Sequence, residues 1–195
     1  MRFATTVQQG RAQLGVVDGA DWISLGTGCA DMRAALEAGI DLAAAAKAAM
    51  ASGARLPLAA QVFAPLVPEP GKIICLGLNY FDHAKEGGRD KPDYPWFFYR
   101  GKSSLVGHGQ PGLCPKLSSK FDYEAELAVV IGRKVPRHVK KADALQYVFG
   151  YSCFNDMSVR DYQKRTAQWT IGKNFDETLG TTPGWPWPIS ELLPR

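Results

Sequence analysis

The chain has 195 residues, 46% hydrophobic and 22% charged, which suits one globular domain with a small appendage and a real core. Its net charge of +4 comes from Lys and Arg scattered along the sequence, too small and dispersed a surplus to indicate nucleic acid or a membrane surface as a partner. The N-terminal stretch MRFATTVQQGRAQLGVV lacks the basic segment and apolar run of a signal peptide. The longest apolar stretches reach about half of the roughly 20 residues that a membrane helix needs, so a soluble, cytoplasmic protein is expected. Cys29, Cys75, Cys114 and Cys153 lie far apart with no CxxC spacing, and they read as reduced thiols.

In chain order, residues 1–30 read as short strands broken by Gly10, Gly15, Gly19, Gly26 and Gly28. SLGTGC lacks a full GxGxxG and opens no clean strand–helix unit, so it is no dinucleotide site. Residues 31–52 are alanine-rich with Asp31 placed as an N-cap, which predicts one helix stopped by Gly53. LVPEPGK is punctuation and marks a boundary between a small N-terminal domain, residues 1–68, and a main domain, residues 69–195. KIICLGLNY then reads as a buried strand, DHAKEGG as a turn or two of helix, and the aromatic segment RDKPDYPWFFYRGKSSLVGHGQPG as a turn-rich wall. FDYEAELAVVIG alternates and ends so apolar that it predicts a strand buried on both faces. A helix is expected near ADALQYV, a second buried strand at FGYSCFND, a short helix at SVRDYQKRTAQW, and loops to the end. Strands outnumber helices, and the fold class is a β-rich α+β fold.

Three constellations carry chemistry. Glu124 and Glu126, two apart on a strand, share a face with their bases roughly 7 Å apart. Such a pair is either a solvated face or, if buried, a pair needing a hard cation. Asp156, at the end of YVFGYSCFND, is either part of an ordinary turn or a third acid facing the same crevice. His83 and Glu86, three apart on a helix, are either a polar surface turn or a general base with its orienting carboxylate. Lys173 in GKNFD is either solvated or a cation that stabilises a developing oxyanion.

Taken together, KIICLGLNYFDHAKE, SSLVGHGQP, FDYEAELAVVIGR, FGYSCFNDMSVRDYQ and QWTIGKNFD resemble the fumarylacetoacetate hydrolase family, from about residue 66 to residue 190. The resemblance implies a mixed β-sandwich-roll catalytic domain, usually dimeric, here a homodimer. It implies a metal site of Glu124, Glu126 and Asp156, holding Mg²⁺ or else Mn²⁺ or Ca²⁺. By the same carry-over His83 and Glu86 activate water, Lys173 stabilises an enolate, and Gln163 faces substrate. Arg160 and Asp161 follow a family RD pair that reads as mainly structural.

Family substrates are small dioxo acids, so the resemblance implies a hydrolase or lyase that cleaves a C–C bond. A decarboxylase, isomerase or hydratase of aromatic catabolism is the alternative. After GKNFD the tail TTPGWPWPISELLPR departs from the family pattern, and nothing follows it. A truncated catalytic domain is therefore expected, with an inactive remnant as the reading from a different class.

Overall fold

The computed structural model describes residues 1–80, 82, 85, 88, 90 and 92–181. Three N-terminal strands, β1 (Arg2–Gln8), β2 (Arg11–Asp18) and β3 (Asp21–Ser24), form an antiparallel meander that β4 (Arg55–Pro57) extends in the order β1-β2-β3-β4. Gln9 and Gly10 turn β1 into β2, both at positive φ; only Gly takes that region without strain. Gly15 of β2 stands where a Cβ would come 2.2 Å from Trp22 Cε2, so the indole can lie flat across the strand and donate from Nε1 to the Ala4 carbonyl at 3.1 Å.

The alanine-rich segment forms two helices rather than the single one expected. α1 (Met32–Glu37) is capped by Asp31, whose carboxylate accepts from Ala34 N, and α2 (Leu42–Ser52) by Asp41, which accepts from Ala44 N. Gly39, at positive φ, separates them, and the second Asp supplies a fresh N-terminus. Gly53 ends α2 as anticipated. Their apolar faces cover one side of the meander, packing Leu14, Val16, Ile23 and Leu25 against Met32, Ala35, Leu42, Ala46 and Ala49.

Beyond residue 69, β5 (Ile73–Gly77) pairs antiparallel with β6 (Trp96–Arg100). The aromatic segment thus supplies a strand where only turns were expected. Pro92, Pro95 and Gly101 mark its flanks, not its interior. β7 (Leu105–Val106) follows, and then β8 (Phe121–Asp122) and β9 (Ala125–Ile131) come from the one stretch FDYEAELAVVI. Tyr123 and Glu124 interrupt that stretch, and the chain changes partner there: β8 pairs with β11 (Ser158–Val159), β9 with β10 (Val148–Asn155). A short 3₁₀ segment, Lys141–Tyr147, stands where a helix was expected. The helices α3 (Arg160–Gln163) and α4 (Thr170–Lys173) lead to β12 (Leu179–Thr181), and the second four-stranded sheet runs β7-β12-β10-β9.

β9 is an edge strand, and it corrects the expectation of burial on both faces. Leu127, Val129 and Ile131 are about half exposed, whereas Glu126, Ala128 and Val130 turn inward. Ile74 and Leu76 of β5 are likewise exposed, leaving Cys75 as that strand's buried side chain. All four cysteines are free thiols. Among the described residues, no helix is long and apolar enough to cross a membrane.

Candidate metal centre

The edge between β8 and β9 positions the first acid. The Glu124 carbonyl accepts from Asp156 N at 2.9 Å, and its own N–H donates to Asn155 Oδ1 at 3.1 Å. Two paired backbones therefore carry Glu124, Glu126 and Asp156 to one point, where ligand oxygens of the three lie within 4.8 Å of one another. That spacing and an all-oxygen donor set fit a hard divalent ion. Asp156 is fully buried, and the two glutamates are partly so.

Cations surround this cluster. Lys173, 1% exposed, donates from Nζ to Asp156 Oδ2 at 2.5 Å and to Glu124 Oε1 at 2.8 Å. Its position follows from Gly172, where a Cβ would meet the backbone N of Gln163 at 2.5 Å; only glycine lets α4 lie this close to α3. Asn174 then ties the helix to β6, donating to the Tyr99 carbonyl at 3.0 Å and accepting from Gly101 N. Phe98 adds a ring face 5.1 Å from Lys173 Nζ, a favourable placement for a buried ammonium.

Glu124 Oε1 also accepts from Ser158 Oγ at 2.5 Å and from Arg160 Nη1 at 2.5 Å. Burial pushes its carboxyl up, but Lys173, Ser158 and Arg160 outweigh that and hold it below the usual range. Glu126 is the opposite case. Among the described residues no side chain hydrogen-bonds its carboxylate, and burial, with Asp156 and Glu124 adding like charge, pushes it up to about 7. A carboxylate left uncompensated beside two compensated ones is the place where a further cation is most favourable.

A cleft of about 1000 Å³ opens onto Glu126 between β5 and β9, with Cys75, Tyr80 and Phe154 in its wall. Arg33, Lys72, Arg133 and Lys134 line it with Glu37, so its margin is mainly basic. A smaller cavity of about 270 Å³ beside β2, lined by Gln8, Gln9, Gln13 and Trp22, holds no titratable group.

Of the residues singled out in the sequence, the structure brings together Glu124, Glu126, Asp156 and Lys173. Gln163 stands one residue further out, its Oε1 accepting from Arg160 Nη1 at 3.2 Å. Arg160, read as mainly structural, in fact touches an acid of the site. His83 and Glu86 lie outside the described residues. The sequence reading missed Ser158 and Arg100. Arg100 is wholly buried and paired with Asp156, and a charged residue in phase with buried Phe98 on the strand WFFYR was its only signal.

Residues 72–191 match the family model described as fumarylacetoacetate (FAA) hydrolase C-terminal. The chain belongs to the fumarylacetoacetate hydrolase family. It is 42% identical over 123 residues to a mitochondrial oxaloacetate tautomerase of Homo sapiens, covering 62% of this chain and 39% of that one. It is 45% identical over 121 residues to an oxaloacetate tautomerase of Bacillus subtilis, covering 60% and 40%. Among solved structures, maleylpyruvate hydrolase from Sphingobium sp. SYK-6, in complex with manganese(II) ion and pyruvate, superposes with a TM-score of 0.73 at 29% identity. That match covers 93% of this chain and 65% of the other. The chain thus has the fumarylacetoacetate hydrolase fold, β-rich α+β as expected, and spans half or less of the curated relatives it matches.

Proposed function

We propose that this chain carries a divalent-metal site that promotes enolate-forming chemistry on a small dioxo acid of the oxaloacetate or acylpyruvate type. The observation that carries the reading is the convergence of Glu124, Glu126 and Asp156 within 4.8 Å, with the Lys173 ammonium buried against two of them. Glu124, Glu126 and Asp156 would hold the ion, which when bound supplies Lewis-acid polarisation of a substrate carbonyl. Mg²⁺ is the ion proposed, and the manganese of the maleylpyruvate hydrolase complex supports a divalent ion in general.

The remaining work falls to the protein. Lys173 places a fixed positive charge beside the acids, at 2.8 Å from Glu124 Oε1, where it stabilises negative charge that develops on a substrate oxygen as a proton leaves the neighbouring carbon. Its charge acts through space, since Nζ is committed to Glu124 Oε1, the Asp156 carbonyl and Asp156 Oδ2, and these bonds with the packing of Gly172 fix it in place. Arg160 donates to both Glu124 and Gln163, and Gln163 is the substrate-facing amide of this proposal. The basic margin of the cleft favours an anionic substrate. Tautomerisation further needs the proton carried from carbon to the enolate oxygen, which water in the cleft can do by accepting one proton and returning another, and two tautomerases at 42% and 45% identity support this reading.

Hydrolytic C–C cleavage is the second reading, favoured by the likeness to maleylpyruvate hydrolase. It additionally requires a water-activating base, the role proposed for His83 with Glu86. The purified chain, assayed with Mg²⁺, Mn²⁺ or chelator, decides between them. Enol–keto interconversion of oxaloacetate without acetylpyruvate hydrolysis supports the first reading. Equal turnover of both supports the second, and metal-independent turnover of either contradicts both.

A further inference from the structure

Arg100 closes β6 with its whole side chain buried, beyond any reach of solvent or substrate. Burying a guanidinium is costly, and burial accordingly lowers its pKa despite the attraction of Asp156. Such a group persists only where its donors are satisfied, and here they are. Nη1 donates to Asp156 Oδ1 and, at 3.0 Å, to the Met157 carbonyl. Nη2 donates to Thr178 Oγ1 at 3.1 Å, and Nε reaches Ser104 Oγ at 3.5 Å. Ser104 Oγ is itself held by the Gly101 carbonyl at 2.7 Å, and Thr178 Oγ1 by the Phe175 carbonyl at 2.6 Å. The planar fork is thus gripped by three chain segments and cannot rotate.

We propose that Arg100 is a positioning residue for the metal centre, setting the orientation in which the Asp156 carboxylate faces Glu124 and Glu126. The proposal rests on the metal reading above. Asp156 is pinned at both oxygens, Oδ1 by Arg100 and Oδ2 by Lys173, so its plane is fixed before any ion arrives. Lysine at position 100 would keep the charge but not the fork, because an ammonium is a point charge with no fixed plane. The competing account makes Arg100 a purely structural ion pair, in which case its loss would lower stability and leave metal affinity alone.

Titration calorimetry with Mn²⁺ separates the two, run on the wild-type chain, Arg100→Lys, Thr178→Val and Glu124→Ala, beside metal-free melting and near-ultraviolet dichroism. Arg100→Lys is expected to fold and to bind Mn²⁺ about 10–100-fold more weakly, as loss of a partner behind a ligand does. Thr178→Val, which frees one arm of the fork while keeping its charge, is expected to weaken binding several-fold. Should Arg100→Lys fail to fold, the Thr178→Val result alone decides. Mn²⁺ affinity within twofold of wild type in the folded variants overturns the role of Arg100, whatever the melting shows, and leaves the metal site standing. A wild-type chain that takes up no Mn²⁺ overturns the metal reading and the proposal together.

Discussion

The buried hydrocarbon of this protein runs from Ala4 to Ala49, whereas beyond residue 69 the fully buried apolar side chains among the described residues are Cys75, Phe98, Val106 and Val159. What is buried in their place is Arg100, Ser104, Ser152, Asp156, Ser158, Lys173 and Thr178. The first sheet gains free energy by removing methyl and methylene groups from water, at about 1.5–3 kcal/mol for each large side chain. The second part surrounds charges with charges, and there desolvation offsets much of the Coulomb attraction. The lesson is a division of labour. Residues 1–52 supply stability cheaply, and residues 96–181 hold a preorganised ionic cluster of little net stability whose geometry is its use. The two touch through Phe3 and Phe149, ring centroids 5.8 Å apart.

The sharpest break in that contrast is Lys173→Met. Removing the one ammonium that serves both Glu124 and Asp156 leaves two buried acids under-compensated, so a loss of about 3–5 kcal/mol is expected in denaturant unfolding. Oxaloacetate turnover should vanish with it. Pairing the change with Asp156→Asn should recover part of the stability and none of the turnover, since the two groups are coupled. A Lys173→Met chain as stable as wild type would mean that the cluster is not held by its charges.

Gly172→Ala comes next. Its new methyl meets backbone rather than a flexible side chain, so α4 must shift, at a cost of about 1–3 kcal/mol. Metal affinity should fall because Lys173 moves with the helix, and unchanged affinity would show that the α3–α4 contact does not place the lysine. In the other region, Ile23→Val should cost about 0.5–1.5 kcal/mol and leave turnover untouched. A matching loss of activity there would erase the division between the two regions.

The smallest effect is a pH slope. The Glu126 carboxyl, raised from 4.5 to about 7 in the folded protein, keeps a proton that the unfolded chain has lost across that window. Folding therefore binds the proton, and metal-free stability should fall as pH rises from 4.5 to about 7. Glu124, held low, acts in the opposite sense and at lower pH, its contribution fading as pH falls through its depressed value. Glu126→Gln should flatten the melting-temperature profile between these limits and melt above wild type at pH 8. An unaltered slope would place Glu126 outside the buried cluster.

These contrasts were unevenly legible in the sequence. The acids Glu124, Glu126 and Asp156 could be picked out with Lys173 because the family motifs preserve their local spacing. The helical stretch could be seen, and its division at Gly39 was written there too, in a glycine followed two residues on by the N-cap Asp41, a signal that the surrounding alanines outweighed. The exposure of Leu127, Val129 and Ile131 could not be read, because an apolar strand face predicts burial without naming what covers it. Arg100 was hidden for a topological reason. Its partners lie at positions 104, 156, 157 and 178, and three of the four are more than 50 residues away on segments that no local pattern sets beside β6.

The central claim, that the ionic cluster is a metal cradle, is tested most directly by anomalous diffraction from crystals of the chain grown with Mn²⁺. The account predicts one strong peak at about 2.0–2.6 Å from carboxylate oxygens of Glu124, Glu126 and Asp156, absent in Glu124→Ala. A map with no peak there at saturating Mn²⁺, with Lys173 and Arg100 still closed on the acids, would contradict it.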